Sequence, residues 1–271
     1  MKANDFYLIT WTDVLASLVL IMVCIVLLRW RKVGLEKTLL VGTFRTFIQL
    51  GAMGFLLNYI FELNNWPFMV LLLLLMILIA SWEGVRRQKD MPIPGYFFIL
   101  SGAMVVTVLL TLGSILAFIL EVKPWYYPYA MIPIGGMIIG NSLNSATLAV
   151  NRFTGELIHR RSEIELFLSL GASPKAATQD AVRTSVKAAL IPTINALMMV
   201  GLVQLPGVMT GQILAGADPL VAVRYQIMIM YMWVTVSVLT VLFTLALVAR
   251  RFFTPQEQLK LDMLQVGRGR E

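Results

Sequence analysis

NRFTGELIHRRSEIELFLSLGASPKAATQDAVRTSVK, residues 151–187, is a charged stretch set between two strongly apolar runs, and its reading decides the fold. Residues 151–170 are good helix formers that continue directly from the preceding apolar run, with Gly155 the one weak point. A helix over 128–170 would be about 64 Å long at 1.5 Å per residue. Ile164, Phe167 and Leu168 recur at i, i+3 and i+4 and predict an apolar stripe among Arg161, Glu163 and Glu165. Gly171 then suits the position after a helix end, where a positive φ costs little only without a side chain. Ser173 suits an N-cap and Pro174 the first helical position of a second helix. KAATQDAVRTSVKAA predicts that second helix, merging into the next apolar run. The stretch therefore reads as helix, glycine corner, Ser-Pro start, helix.

The apolar runs on either side are too long for a soluble core. Of the 271 residues 58% are hydrophobic and 14% charged, against about 25% charged in an ordinary soluble domain. Runs near 12–29, 38–61, 66–82, 96–120, 125–150, 186–205 and 220–249 each approach the roughly 20 apolar residues that a spanning helix needs. The expectation is an all-α polytopic membrane protein with about seven spans. One transmembrane domain would cover 1–254, with its elbow at about 151–185 and a frayed tail over 255–271. The N-terminal run is too long and too poor in basic residues for a cleavable signal, so it reads as a helix that stays.

Orientation follows from the basic residues. Of the 22 Lys and Arg residues, all but Lys2, Arg45, Lys123 and Arg224 follow the first, third, fifth or seventh run. By the positive-inside rule the N-terminus lies outside and the C-terminus in the cytoplasm, in the inner (plasma) membrane. The net charge of +7 is thus assigned to membrane orientation, and no nucleic-acid partner is expected. Cys24, the only cysteine, sits in an apolar run and reads as a packing residue. His159, the only histidine, lies among charges and reads as a solvated side chain rather than a ligand or base.

Several residues are candidates for a path through the membrane. The fifth run carries Pro133, Gly136 and Gly140, then Asn141 and Asn144. Pro133 has no N–H for the carbonyl of Tyr129, so a kink is expected. Gly136 and Gly140 form a GxxxG pair that admits a second helix closely. Two readings stand: a packing helix, at a dimer interface, or a helix whose Asn face lines a path. The glycines are assigned to packing, Asn141 and Asn144 to the path. Pro192 removes the donor for the Ala188 carbonyl in the sixth run, and Asn195 follows it as a path candidate. Arg45 and Gln49 share a face at i, i+4 in the second run. An arginine at that depth is costly and reads as functional or paired, or else as snorkelling to the inner interface. The loop 205–219 is apolar and Gly-rich, consistent with a re-entrant segment or a tight outer loop. Met228, Met230 and Met232 alternate and do not share a helix face, so packing is expected rather than a thioether channel. No carboxylates are spaced as a metal site, and no resident metal is expected.

Glu165, six residues before Gly171, resembles the Glu-Ala-Ala-x-x-x-Gly loop of ABC-transporter permeases, with Leu166 and Phe167 in place of the alanines. Ala-Leu-Ile-Pro at 189–192 stands later than that loop's usual Ile-x-Leu-Pro. More specifically, IPIGGMIIGN (132–141), LSLGASPKAA (168–177), AALIPT (188–193), GLVQLPGVMTGQILAGADP (201–219) and YQIM (225–228) together resemble the FetB-type iron-export permeases, and the plant aluminium-tolerance permeases are similar. The resemblance implies a homodimeric permease coupled to a separate ABC ATPase subunit, which binds the ATP and Mg. It implies export of iron or a related metal, with Glu165, Phe167, Leu168, Gly171, Ser173 and Pro174 in the coupling elbow. The chain has no G-x-x-x-x-G-K-[ST] phosphate loop, so it is expected to be no enzyme, with no catalytic residues and no cofactor of its own. The rival readings are an ion-gradient-driven transporter, an intramembrane protease and a non-transporting partner of an ATPase. The first needs intramembrane carboxylates and finds only Asp13 near a span end. The second needs a histidine or paired aspartates at depth, which the sequence lacks.

Overall fold

A computed structural model of the chain describes residues 10–62, 65–88, 92–119 and 124–260. Lys2, Lys89, Lys123, Arg268 and Arg270, counted among the basic residues above, lie outside the described residues. The fold is all-α. The chain divides into two compact units, Met1–Asn64 and Asn65–Glu271.

The N-terminal unit holds α1 (Trp11–Trp30) and α2 (Glu36–Glu62). Asp13 and Thr10 form a capping box that opens α1, with the Thr10 N–H donating to Asp13 Oδ2 at 2.8 Å. The turn between the helices uses Lys32 and Gly34 at positive φ, 53° and 77°. Trp11 meets Phe47 edge-on at 6.0 Å. No residue of α1 is buried, and its apolar side chains face outward, as a lipid-facing helix requires.

The second unit is a helical bundle. α3 (Trp66–Arg87) and α4 (Tyr96–Ser114) pack on one another, and α4 ends in a π-turn over Ile115–Ile119. α5 (Pro128–His159) is the central element and touches α3, α4, α8 (Gln179–Met199) and α10 (Pro219–Arg251). Small residues set the close approaches: a Cβ on Gly84 would meet Leu100 Cδ2 at 2.5 Å and Leu143 Cδ1 at 2.9 Å, and one on Gly135 would meet Leu73 Cδ1 at 2.6 Å. A buried hydroxyl pair, Thr107 with Thr240 at 2.8 Å, ties α4 to α10.

Seven long helices occupy the places of the seven expected spans. Five of them are long and apolar enough to cross a membrane: α1, α2, α3, α4 and α10. α5 and α8 are not among these five, because α5 carries a Gly/Asn/Ser-rich middle and α8 opens on Gln179, Asp180, Arg183 and Lys187. Both run through their internal prolines, Pro133 and Pro192. α8 ends at Met199, short of the expected 205, where Gly201 (φ 82°) turns the chain. The loop that follows holds a short helix, α9 (Gly207–Leu214), which packs on α10; Asp218 then caps α10, accepting from the Leu220 N–H at 2.8 Å.

Both predicted helices of the elbow need correction. The continuous helix over 128–170 is broken at Arg160, where α5 stops and α6 (Arg161–Ser169) begins. The second helix is likewise split at Thr178 into α7 (Pro174–Ala177) and α8. The first break shows in the backbone of Arg160, at φ −96° and ψ 17°, while the almost buried Glu156 pairs with both Arg152 (2.7 Å) and Arg160 (2.9 Å). The Glu156 hydrogen bond also raises the pKa of Arg160, keeping the guanidinium charged. The tail expected to fray over 255–271 is described only as far as Lys260; residues 261–271 lie outside the described residues. Residues 252–260 turn back, with the Lys260 N–H donating to the Phe252 carbonyl at 2.8 Å. Burial of Phe252, Phe253 and Leu259 holds this turn, and Phe252 meets Phe153 of α5 edge-on at 6.0 Å.

Candidate functional site

The elbow is built by local chemistry. Gly171 has φ 87°. Its N–H donates to the Leu168 carbonyl at 3.0 Å, and the Ala172 N–H donates to the Phe167 carbonyl at 2.9 Å. This pair of bonds is the Schellman pattern, which satisfies the last carbonyls of α6. Ser173 caps α7, its Oγ accepting from the Ala176 N–H at 3.4 Å, and Pro174 occupies the first turn.

The faces of α6 differ from the predicted stripe. Ile164 is fully buried and shares a small cavity with Phe167, Ala177 and Ala181, so it pins α6 to the second arm. Leu168 is half-buried and Phe167 half-exposed. Leu166 (58% exposed) and Leu170 (75%) stand one turn apart on the outer face. Neither was assigned a role from sequence, since the inner face is settled only once Ala177 and Ala181 are placed. Glu165 pairs with Arg161 at 2.9 Å within the same helix.

The second feature lies on α5. Pro133, Gly136, Gly140, Asn141, Asn144 and Leu148 form a stripe that the other helices of this unit leave wholly or partly uncovered. A Cβ on Gly136 would meet Met76 at 3.1 Å, whereas one on Gly140 would meet nothing within 4 Å. The tightest approach at an α5 glycine is at Gly135, with Gly136 next and Gly140 open. Toward the end of the stripe Asn141, Asn144, Ser145 and Leu148 line a cavity of about 260 Å³ with Ala189, Pro192 and Thr193 of α8 and Trp233 of α10. Arg87, the last residue of α3, donates from Nη1 to Asn144 Oδ1 at 2.7 Å. Asn141 Nδ2 donates to the Met137 carbonyl at 2.9 Å. The indole Nε1 of Trp233 is buried with no hydrogen-bond partner.

The structure thus brings Asn141, Asn144 and Pro192 together. Asn195 is exposed on α8 and does not line this cavity. Arg45 and Gln49 belong to the N-terminal unit, one turn apart on α2. His159 is exposed at the end of α5, and Cys24 is exposed on α1. Sequence reasoning missed Trp233, Thr193 and Arg87. An indole N–H within a long apolar helix was the available signal, because a buried one wants an acceptor. Arg87 was legible only as an orientation charge. Among the described residues no three His, Cys, Asp or Glu side chains gather into a metal site.

Comparison with known proteins agrees with the sequence resemblance. Residues 11–253 match the Uncharacterised protein family (UPF0014). The chain is 36% identical over 244 residues to the UPF0014 membrane protein YjkA of Bacillus subtilis, covering 90% of this chain and 96% of the relative. It is 35% identical over 260 residues to the probable iron export permease protein FetB of Escherichia coli, covering 95% and 97%. It is 31% identical over 248 residues to the protein ALUMINUM SENSITIVE 3 of Arabidopsis thaliana, covering 90% and 88%. No solved structure matches. With a family match across nearly its whole length and relatives aligned end to end, this chain belongs to the UPF0014 family of membrane proteins.

Proposed function

We propose that this chain is the permease subunit of an ATP-driven exporter, working as a homodimer with two copies of a separate ABC ATPase that bind ATP and Mg. One observation carries the reading: α5 and α8, the helices that line the polar cavity, are also the two that lead into the elbow. α5 spans 32 residues, about 48 Å at 1.5 Å per residue, so it links membrane depth to the elbow as one rigid element. In this reading α5 and α8 cross the inner membrane with the other five long helices, the N-terminus is outside, and the elbow is cytoplasmic. The ATPase grips the exposed Leu166, Phe167 and Leu170. Closure of the ATPase dimer draws the two elbows together, and α5 and α8 transmit that movement to the cavity.

The open stripe on α5 supports a second copy facing it. Asn141 and Asn144 are costly against lipid but not against a water-filled path between two protomers. The name of the Escherichia coli relative suggests iron as the cargo.

The test is co-purification with a candidate ABC ATPase subunit from the same organism, followed by ATP hydrolysis in liposomes. Leu166→Glu with Leu170→Glu is expected to lower ATPase recovery at least tenfold while leaving the melting temperature of the permease unchanged. Equal recovery and turnover in that variant would place the coupling surface elsewhere.

A further inference from the structure

The cavity between α5, α8 and α10 has a chemical bias, visible once each polar atom is sorted by the bond it already makes. Asn144 Oδ1 already accepts from the Arg87 guanidinium, which leaves it one lone pair, while both Nδ2 hydrogens stay available to an occupant. The Trp233 indole is a donor only, and it is buried without an acceptor. Asn141 spends one Nδ2 hydrogen on the Met137 carbonyl and keeps the other together with its acceptor oxygen. Ser145 and Thr193 supply hydroxyls that rotate to suit. Among the described residues no Asp or Glu lines the cavity, and the formal charge that meets Asn144 is Arg87. Glu83 pairs with Arg87, 3.9 Å from its Nε, and is not a lining residue.

Such a lining disfavours a bare metal cation. Hard cations are held by anionic oxygens and must be repaid for lost water. Here an incoming cation meets two N–H donors and the field of a guanidinium. A ligand rich in oxygen acceptors and carrying negative charge meets the same groups favourably. The cavity, at about 260 Å³, lies near the lower end of small-molecule sites, about 300 Å³.

We infer that this cavity takes its metal cargo as an anionic complex wrapped in oxygen ligands of the carboxylate class, and that Trp233 and Asn144 recognise the ligand shell rather than the metal. The inference rests on the reading of the chain as a cargo-carrying permease.

The experiment is saturation binding to the full-length chain in detergent, without the ATPase, using ferric citrate, citrate alone and ferrous ion as probes. Ferric citrate is expected to bind saturably and ferrous ion not to. Trp233→Phe keeps the ring and removes one donor, and should weaken ferric citrate roughly fivefold, the worth of one hydrogen bond. Asn144→Asp places a carboxylate in the cavity and should weaken it about tenfold or more. Thermal melting of both variants is followed alongside. Saturable ferrous binding at equal or higher affinity overturns the inference, as does an absence of ferric citrate binding or its indifference to both substitutions in folded protein. Should Asn144→Asp fail to fold, Trp233→Phe decides alone. Binding of citrate alone with the same sensitivity supports recognition of the ligand shell. Because the ATPase is not present, the two readings fail separately. Elbow variants that leave ATP turnover unchanged would sink the coupling scheme while the binding result stood, and ferrous occupancy with intact coupling would do the reverse.

Discussion

The elbow and the α5 stripe are inverted surfaces of opposite kind. The elbow, set among Arg161, Glu163, Glu165 and Lys175, leaves Leu166 and Leu170 uncovered on its outer face. The stripe, on a helix flanked by apolar spans, leaves Gly140, Asn141 and Asn144 at least partly uncovered. Apolar side chains among charges and, if α5 crosses the membrane as proposed, polar side chains along it both carry a free-energy cost that a partner relieves. The partners must differ. A hydrophobic groove on another protein suits the first, and water, cargo or a second protomer suits the second. The regions also differ in how they are held. The elbow is fixed by bonds within five residues, such as Ala172 to Phe167, whereas the cavity is assembled across distant helices, as in the bond from Arg87 to Asn144.

That contrast separates the effects of substitution. The largest is expected at Gly171. Proline there cannot reach φ 87° and forfeits the N–H bond to Leu168, at a local cost of about 3 kcal/mol. Gly171→Pro should abolish ATPase stimulation, measured as hydrolysis in liposomes, while Gly171→Asn, which tolerates the left-handed region, should keep about half or more of it. Next comes Asn144→Leu, which strips the Arg87 bond and a cavity donor. Cargo flux should fall more than tenfold while the ATPase still co-purifies, since a polar partner lost from a charged group costs about 1.5–3 kcal/mol. If flux and ATPase binding fall together, the two regions are not separable in the way described here. Ser173→Ala should be milder. Its cap bond is long, 3.4 Å, so about 0.5 kcal/mol is expected, read as a small drop in melting temperature and a twofold or smaller loss of coupling. Glu165→Gln should be the smallest. Its pair with Arg161 is exposed on both sides, and such pairs contribute about 0–1 kcal/mol; a large coupling defect in this variant would mean that Glu165 meets the ATPase directly.

Much of the elbow was legible because its determinants are local. Gly171, Ser173 and Pro174 each do what their backbone chemistry dictates. The break at Arg160 was not legible, since good helix formers run through it and the Glu156 pairs with Arg152 and Arg160 have the i,i+4 spacing of an unbroken helix. The outer face of α6 was hidden for a similar reason: periodicity grouped Ile164, Phe167 and Leu168, but contact with the second arm decided which of them turned inward. The places of the long helices followed from apolar length, within a few residues for α1, α3 and α10. The cavity was half legible. Asn141, Asn144 and Pro192 stood out as polar or kinked positions in apolar runs, whereas Trp233 and Arg87 join them only through tertiary packing. Gly136 and Gly140 drew notice as a spaced pair, yet Gly135 makes the close approach, because spacing does not say which face meets a neighbour.

The central claim is that the elbow and the cavity are two ends of one ATP-driven machine. The most direct test is metal flux in proteoliposomes holding this chain and its ATPase, measured with and without ATP and with an imposed ion gradient, for wild type, Leu166→Glu with Leu170→Glu, and Asn144→Leu. The account predicts flux only with ATP, loss of both flux and stimulated hydrolysis in the elbow variant, and loss of flux with ATPase binding retained in the cavity variant. Flux driven by the ion gradient without ATP, unaffected by the elbow substitutions, would contradict it.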